Sequence, residues 1–395
     1  MRARAVAPFS HKSGSRTTCP RYPMCQQPLR VLQVITQSRV SGAEINMIRL
    51  CRGLLDRGHA VLVVTRPGSL MRESLARQGV PSRELSIHGK ANLVAPRRLA
   101  AVIREWQPDL VNTHNSTASL WGGLAARLAR TPVVAHVQGL HYSCTLWSCY
   151  GAADGLIACS DAVRRYTVGV GFAPHRVRRV YNAVDPAEFV PKRPREAVRQ
   201  ALGLARDELA VGAFAHLSRK KGHADLLEAV AKVPIDVPFR LFCVGNGPCR
   251  DALQRQASGL GIAGRVHFLD YRRDVANLMC AMDAMALPSH REPFGIVYVE
   301  AMLARLPVIA CNAGGAPEVV EEGVTGYLVP PHDPDRLAAA LTALLTSPAR
   351  RRRMGEAGRN RAVERFSLDR MVTETESMYR EVIRSRPLPR RTPRS

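Results

Sequence analysis

Lysine is nearly missing from this 395-residue sequence: it stands only at 12, 90, 192, 220, 221 and 232, so the 57 Lys+Arg set against 33 Asp+Glu are almost all arginine. The formal net charge of +24 favours anionic partners such as nucleic acid, acidic lipid headgroups or phosphorylated small molecules. Codon preference is a second source of such a bias. Aromatic residues make up only 5%, and neither zinc-finger spacing nor an aromatic-rich strand motif is present, which argues against nucleic acid as the partner. No apolar run approaches the roughly 18 residues needed to cross a bilayer. The first 28 residues are basic and lack an apolar h-region, so they do not read as a secretory signal. They are expected to be a disordered arm, or the product of an upstream start codon. The ten cysteines include no C-x-x-C and no Cys/His pairs at zinc spacing. They read as reduced thiols of a cytosolic enzyme, with Cys159, Cys243 and Cys311 serving as small hydrophobes.

A chain of this length exceeds one ordinary core, which stops growing at roughly 250 to 300 residues, so two domains are expected. From Leu29 onward, short β-rich runs such as LRVLQVIT (29–36), AVLVVT (60–65), DLVNT (109–113), PVVAHV (132–137) and GLIAC (155–159) alternate with helical patterns. Continuous apolar strands joined by helices mark a parallel sheet covered on both faces. A Pro- and charge-rich stretch at 181–196 reads as a hinge. The alternation then restarts with LAVGAFA (209–215), FRLFCVG (239–245), RVHFLD (265–270), DAMALPS (283–289), PVIAC (307–311) and TGYLV (325–329). The expected organisation is a basic arm at 1–28, a doubly wound domain at 29–190, a second at 191–367, a C-terminal helix at 368–386 packing back on the first domain, and a basic tail at 387–395. Such sheets bind ligands beyond the carboxyl ends of their strands, which places a site in the cleft between the halves.

The segment SHREPFGIVYVEAM (289–302) raises the sharpest chemical question, because it sets Glu300 among Ile296, Val297, Val299, Ala301, Met302 and Leu303. A carboxylate buried there is costly unless it is hydrogen-bonded or paired. Two hydroxyls of a ribose diol would offset that cost; a solvent-facing stripe is the alternative. Glu292 precedes a helix opened by Gly295, whose first amides, those of Phe294, Gly295 and Ile296, have no intrahelical partner. Such a helix start attracts phosphate or carboxylate. Arg219, Lys220 and Lys221 occupy a strand-to-helix loop ahead of Gly222, suited to a diphosphate or simply solvated. Gly245 and Gly247 follow a strand, but Arg250 stands where a dinucleotide fingerprint needs its third Gly, so a tight turn is the reading there. Gly42 opens the first helix, and His114 lies at a strand's carboxyl end, as a ligand contact or as a satisfied loop histidine. Asp333 and Asp335 spell D-x-D around a Pro at a helix start, which favours capping over metal binding.

Taken together these stretches resemble glycosyltransferase family four, retaining enzymes of the GT-B fold, over residues 29 to 385. The most specific part runs from Ser289 to Leu341: it resembles the family's E-x7-E motif followed by its G-G-x-x-E-x-V and G-x-x-G-x-L-V segments. The resemblance implies an α/β fold with two Rossmann-like domains facing a central cleft. It implies that Glu292 contacts donor-sugar hydroxyls, Glu300 the ribose, and the amides of Phe294 to Ile296 the sugar phosphate. Lys221 matches the lysine that neutralises the diphosphate. The arginine of that motif is replaced by His216, and Arg219 or Lys220 is positioned to supply the contact instead. Gly42 is similar to the glycine that closes over the diphosphate, and His114 to the histidine near the reacting sugar. Gln138 stands where many relatives carry a second histidine.

The implied activity is retaining transfer of a sugar from a nucleoside diphosphate to a hydroxyl of a glycan or lipid-linked acceptor, in cell-surface polysaccharide or lipopolysaccharide biosynthesis. No cofactor or metal is expected, and no nucleic acid. The expected location is cytoplasmic, with the arginines docking on the anionic inner face of the membrane. The alternatives are a nucleotide-sugar epimerase of the same architecture, which would need no acceptor, and a nucleic-acid-binding protein.

Overall fold

A computed structural model describes residues 27–37, 42–87, 89, 91–140 and 143–386; the expected arm and tail lie outside the described residues except for 27 and 28. The first half is a seven-stranded, all-parallel sheet in the order β3-β2-β1-β4-β5-β6-β7. Its strands are β1 (Arg30–Val34), β2 (Ala60–Thr65), β3 (Ser82–Glu84), β4 (Leu110–Thr113), β5 (Val133–Val137), β6 (Gly155–Ala158) and β7 (Val177–Arg179). The connecting helices are α1 (Gly42–Asp56), α2 (Leu70–Arg77), α3 (Ala95–Trp106), α4 (Ser116–Leu128), α5 (Ser143–Tyr150) and α6 (Asp161–Gly169). Every residue of β4, β5 and β6 is buried. That is why these segments are mostly apolar and do not alternate: helices cover both faces, and the polar exceptions Asn112, Thr113 and His136 are buried as well.

The second half repeats the plan with six parallel strands in the order β10-β9-β8-β11-β12-β13. These are β8 (Leu209–Phe214), β9 (Phe239–Val244), β10 (Val266–Leu269), β11 (Ala284–Leu287), β12 (Val308–Cys311) and β13 (Gly326–Val329). The helices are α7 (Arg195–Ala201), α8 (His223–Lys232), α9 (Arg250–Gly259), α10 (Val275–Ala281), α11 (Ile296–Leu303), α12 (Ala316–Val319), α13 (Pro334–Leu345), α14 (Pro348–Arg365) and α15 (Leu368–Ser385). In both sheets the winding reverses beside the central strand, at β1/β4 and at β8/β11. A ligand crevice opens at such a switch point. Asp333 caps α13, its Oδ1 accepting the amide of Arg336 at 2.9 Å.

The chain crosses between the halves twice, and both crossings are fixed. Asn46 of α1 donates to Asn182 at 2.9 Å and accepts the Ala183 amide at 2.9 Å. The Val184 amide donates to Phe366 O at 3.3 Å, tying one crossing to the other. Around them Tyr181, Phe294 and Phe366 pack ring against ring, with centroids 5.3 to 5.6 Å apart. The last helix, α15, then lies on the first domain, burying Met371, Val372, Met378, Tyr379 and Val382 against its core. Gly53 and Gly155 make that seat possible: a Cβ on either would come within 2.5 Å of Val372 or 2.4 Å of Met378. Among the described residues no helix is long and apolar enough to cross a membrane, and the described cysteines are all free.

Candidate active site

Lys221, Glu292, the start of α11 and Gly42 come together where the two domains meet, whereas His114 lies inside the first domain. After β8 the chain makes one short turn, Arg219–Lys221, before α8. Gly222 between them has φ 70°, and a Cβ there would lie 2.0 Å from Pro288 O. Only glycine allows this loop to lie directly on the end of β11. The amide of His290 donates to Lys220 O at 3.0 Å, so the lysine loop and the loop carrying Glu292 form one layer. Across it Lys221 Nζ meets Glu292 Oε2 at 2.6 Å, with the side chains 21% and 9% exposed. A pair this withdrawn from water is close to all-or-nothing: removing either charge strands the other.

Helix α11 begins at Ile296 with Gly295 as its N-cap, and no side chain caps it. Among the described residues no side chain takes up the first amides of that helix, which follows closely on Glu292. Phe294 itself is buried in the hinge aromatic cluster, so only its backbone is available to a ligand. Gly42 faces this helix from the other domain, for a Cβ on it would lie 2.9 Å from Ile296 Cγ2. His216 and Arg219 lie on the lysine loop. Neither side chain is brought against Lys221 or Glu292 by any contact among the described residues. Gly245 and Gly247 press on the backbone of Ala215 and Leu217, which is a packing role and agrees with the tight-turn reading.

Glu300 is largely withdrawn from solvent, its side chain 17% exposed. Burial pushes its carboxyl up from 4.5 to about 7, opposed by Arg49, with Glu188 adding to the rise. The partner is one the sequence reading did not name. Arg49, on α1 of the opposite domain, places Nη2 3.9 Å from Glu300 Oε1, bonds Glu188 at 2.8 Å through Nε, and donates to Ala183 O at 3.0 Å. Arg49 thus joins helix α1, the hinge and the E-x7-E helix in one polar chain.

A second bridge is made by Glu318 of α12, the glutamate of the G-G-x-x-E-x-V segment, to which the sequence reading gave no partner. Its two carboxylate oxygens accept the amides of Asp161 and Ala162 at 2.7 Å each, so a residue of one domain caps helix α6 of the other. Alongside it Ser160 Oγ donates to Pro293 O at 2.6 Å. An acid at a helix N-terminus gains from both the free amides and the helix dipole.

His114 lies inside the first domain, 5% exposed. Its Nε2 is 2.6 Å from Gln33 Oε1 and 3.0 Å from Asn112 Nδ2, and its ring stacks on His136 at 4.6 Å. Burial, then the neighbouring His136, hold its proton affinity well below the usual histidine range. The ring is therefore neutral near pH 7. It can accept or donate one hydrogen bond through Nδ1, the ring atom without a partner among the described residues, but it does not bring a positive charge. Gln138 is paired with Asn182 through bonds of 3.2 and 3.0 Å, so it braces the hinge.

Two parallel α/β sheets joined by a double crossing, with their ligand crevices opposed, define the GT-B architecture. Profiles described as Glycosyl transferases group 1 and Glycosyltransferase Family 4 match residues 194–361 and 40–188. D-inositol 3-phosphate glycosyltransferase of Mycobacterium bovis (strain BCG) is 31% identical over 385 residues, covering 87% of this chain and 79% of that one. The chain belongs to the glycosyltransferases of group 1 and family 4 that these two profiles describe. N-acetyl-alpha-D-glucosaminyl L-malate synthase of Bacillus anthracis is 32% identical over 208 residues, 53% of this chain and 54% of that protein; the match spans about half of that relative's length. Among solved structures, HepE of Anabaena in complex with UDP-glucose superposes with a TM-score of 0.80 at 28% identity, over 88% of this chain and 99% of that one.

Proposed function

We propose that this chain transfers a sugar from a nucleoside diphosphate to a hydroxyl acceptor, with retention at the anomeric carbon. The observation that carries the reading is the Lys221–Glu292 pair at 2.6 Å, largely withdrawn from water and set beside the uncapped start of α11. In the resting site each member neutralises the other. A diphosphate entering over the helix amides offers Lys221 a stronger anionic partner and frees the Glu292 carboxylate for sugar hydroxyls. As the anomeric bond breaks, charge grows on the leaving diphosphate, and the lysine and helix amides already face it. Such preorganised electrostatic stabilisation commonly contributes more to catalysis than any other single effect. The Glu300 carboxylate takes the ribose diol, exchanging its long 3.9 Å contact with Arg49 for two short hydrogen bonds. No enzyme nucleophile is required, because the acceptor attacks from the face the leaving group vacates. His114, neutral, supplies at most one hydrogen bond to the reacting sugar or acceptor. No step calls on a metal.

HepE was solved with UDP-glucose, which supports a UDP-sugar donor. For the acceptor, the glycan or lipid-linked hydroxyl expected from the sequence stands beside a second reading. The names of the relatives specify L-malate and D-inositol 3-phosphate, both small anionic hydroxyl compounds. An arginine-rich enzyme suits either, as it suits attachment to the anionic cytoplasmic leaflet.

The test is a panel of UDP-, GDP- and ADP-sugars with L-malate, inositol phosphates or lipid extract as acceptor. Nucleotide release and the anomeric configuration of the product are both followed. Acceptor-dependent release with retained configuration is the expected result. Release of a free, isomerised sugar without acceptor would establish the epimerase alternative, and an inverted product would overturn the mechanism.

A further inference from the structure

Next to the Lys221–Glu292 layer, but outside the residues assigned to the donor, one helix and two loops of the second domain bring two imidazoles and a carboxylate to one point. Asp225 lies in the first turn of α8, His290 precedes Glu292 in the loop after β11, and His332 follows β13. His290 Nε2 is 2.8 Å from Asp225 Oδ2, and His332 Nδ1 is 3.5 Å from the same oxygen. The two rings are 3.8 Å apart between centroids, and the ligand atoms of all three residues lie within 4.8 Å of one another. We propose that Asp225, His290 and His332 form a binding site for a divalent transition-metal ion of the zinc type.

The argument is first one of geometry. Metal–nitrogen and metal–oxygen bonds of about 2.0–2.2 Å around a tetrahedral ion set neighbouring ligand atoms roughly 3.3 Å apart. Two of the three separations, 2.8 and 3.5 Å, bracket that value before any ion draws the groups in, and the third, between the two imidazoles, is within 4.8 Å. A hydrogen bond between His290 and Asp225 would account for two of the residues but gives no reason for the third. His332 turns its ring to the same carboxylate oxygen while its backbone takes a left-handed φ of 59°, an uncommon conformation for a residue other than glycine.

Charge supports the same assignment. Two imidazolium rings packed at this distance repel, whereas two neutral imidazoles and a carboxylate together attract a dication. The nearby positive charge of Lys221 is balanced by Glu292 at 2.6 Å. Imidazole with carboxylate suits zinc, copper, iron and nickel over magnesium or calcium. Three protein ligands leave a coordination position open, and His332, with a side chain 70% exposed, lies on the solvent side, where an ion enters.

A bound ion would fasten helix α8 to the loops that follow β11 and β13. The loop after β11 carries Glu292, and α8 follows directly on the Lys221 turn, where Lys220 O accepts the amide of His290 at 3.0 Å. The site itself does not depend on the proposed transfer reaction, and its test needs no substrate.

The full-length chain, stripped with chelator and kept reduced, is titrated with ZnCl2 alone against a chromophoric competitor at neutral pH. One tight equivalent per chain is expected. Loss of even an outer-shell partner costs metal sites 10–100-fold in affinity, so His332→Gly should weaken zinc by about 100-fold or more. That variant suits the left-handed backbone and leaves an exposed position, so folding is not at stake. His290→Asn should act alike, and cobalt in place of zinc should show nitrogen-ligated d–d bands in the wild type that both variants lose. No tight equivalent, or one that survives in both variants and therefore sits on thiols or other histidines, would overturn the assignment.

Discussion

The raised carboxyl of Glu300 gives the donor site a pH signature whose size follows from the structure. With its proton affinity near pH 7 in the ligand-free protein, Glu300 is about one-tenth ionised at pH 6 and about nine-tenths at pH 8. A ribose diol donates both hydroxyl protons to the carboxylate, so it binds the ionised form. Nucleotide must then wait for Glu300 to ionise, and the apparent Kd rises as pH falls. Between pH 8 and pH 6 the loss is about tenfold, or about 1.4 kcal/mol. Isothermal titration with UDP is the assay. Glu300→Gln is the reference that removes every other titrating group, the β-phosphate included, from the comparison. The wild type should show the extra tenfold slope and release about half a proton per UDP at pH 7 that the variant does not release. Arg49→Met, which takes away the charge opposing the rise, should move the midpoint upward. A slope identical in wild type and Glu300→Gln would refute the diol assignment. The same linkage acts on the fold with its own sign: native Glu300 holds a proton that the unfolded chain has lost between pH 4.5 and 7. Ligand-free stability should therefore fall across that window as pH rises, by on the order of 3 kcal/mol at most, relative to Glu300→Gln.

Lys221→Met leaves Glu292 buried without its partner and should lower the free energy of unfolding by about 1–3 kcal/mol. Adding Glu292→Gln should restore part of that loss, and strictly additive losses in urea titrations would show that the 2.6 Å pair is not coupled. Both single variants should reduce transfer by at least about a hundredfold. Glu318→Ala removes two hydrogen bonds to helix α6. It should cost about 1–2 kcal/mol and enlarge the radius of gyration in small-angle scattering as the domains part; an unchanged radius would show that the other cross-domain contacts suffice. Because burial keeps His114 neutral, the pH–rate profile from 6 to 8 should be the same shape in His114→Asn as in the wild type, only lower. An inflection present in the wild type and absent in the variant would mean the histidine titrates after all.

What could be read from the chain beforehand depended on where each signal resides. The central strands announced themselves because burial on both faces leaves no polar alternation, as in β5 with all five residues buried. The edge strands of the first sheet did not: β3 is Ser82–Glu84, exposed along its length, and β7 is only Val177–Arg179, so tertiary pairing alone makes them strands. Helix α5 carries little helical signal in its sequence, because Ser, Cys and Thr dominate it and no clear stripe separates core from solvent. At the site, Lys221 and Glu292 were legible because each sits beside a glycine or proline that shapes its loop. The loops meet because Gly222 lets one backbone rest on the other.

Arg49, Glu318 and the Asp225–His290–His332 cluster share the opposite property. No local pattern names their partners: Glu318 lies in the G-G-x-x-E-x-V segment, yet that spacing does not point to helix α6, and nothing near Asp225 in sequence points to His290, 65 residues away. A search of the sequence for Cys/His pairs at zinc spacing tests only metal sites built within one loop. The burial cost of Glu300 was nevertheless visible in the sequence, and the structure shows that Arg49 offsets only part of it. At 3.9 Å the guanidinium is too distant for a direct hydrogen bond, and the carboxyl remains shifted toward its neutral form. A site whose acid is incompletely satisfied at rest gains more from a ligand that completes it than a satisfied site would. The same incompleteness keeps the Arg49–Glu300 tie weak, so a nucleotide bound to Glu300 as proposed would also release Arg49 from one of its three partners and loosen one tie between the domains.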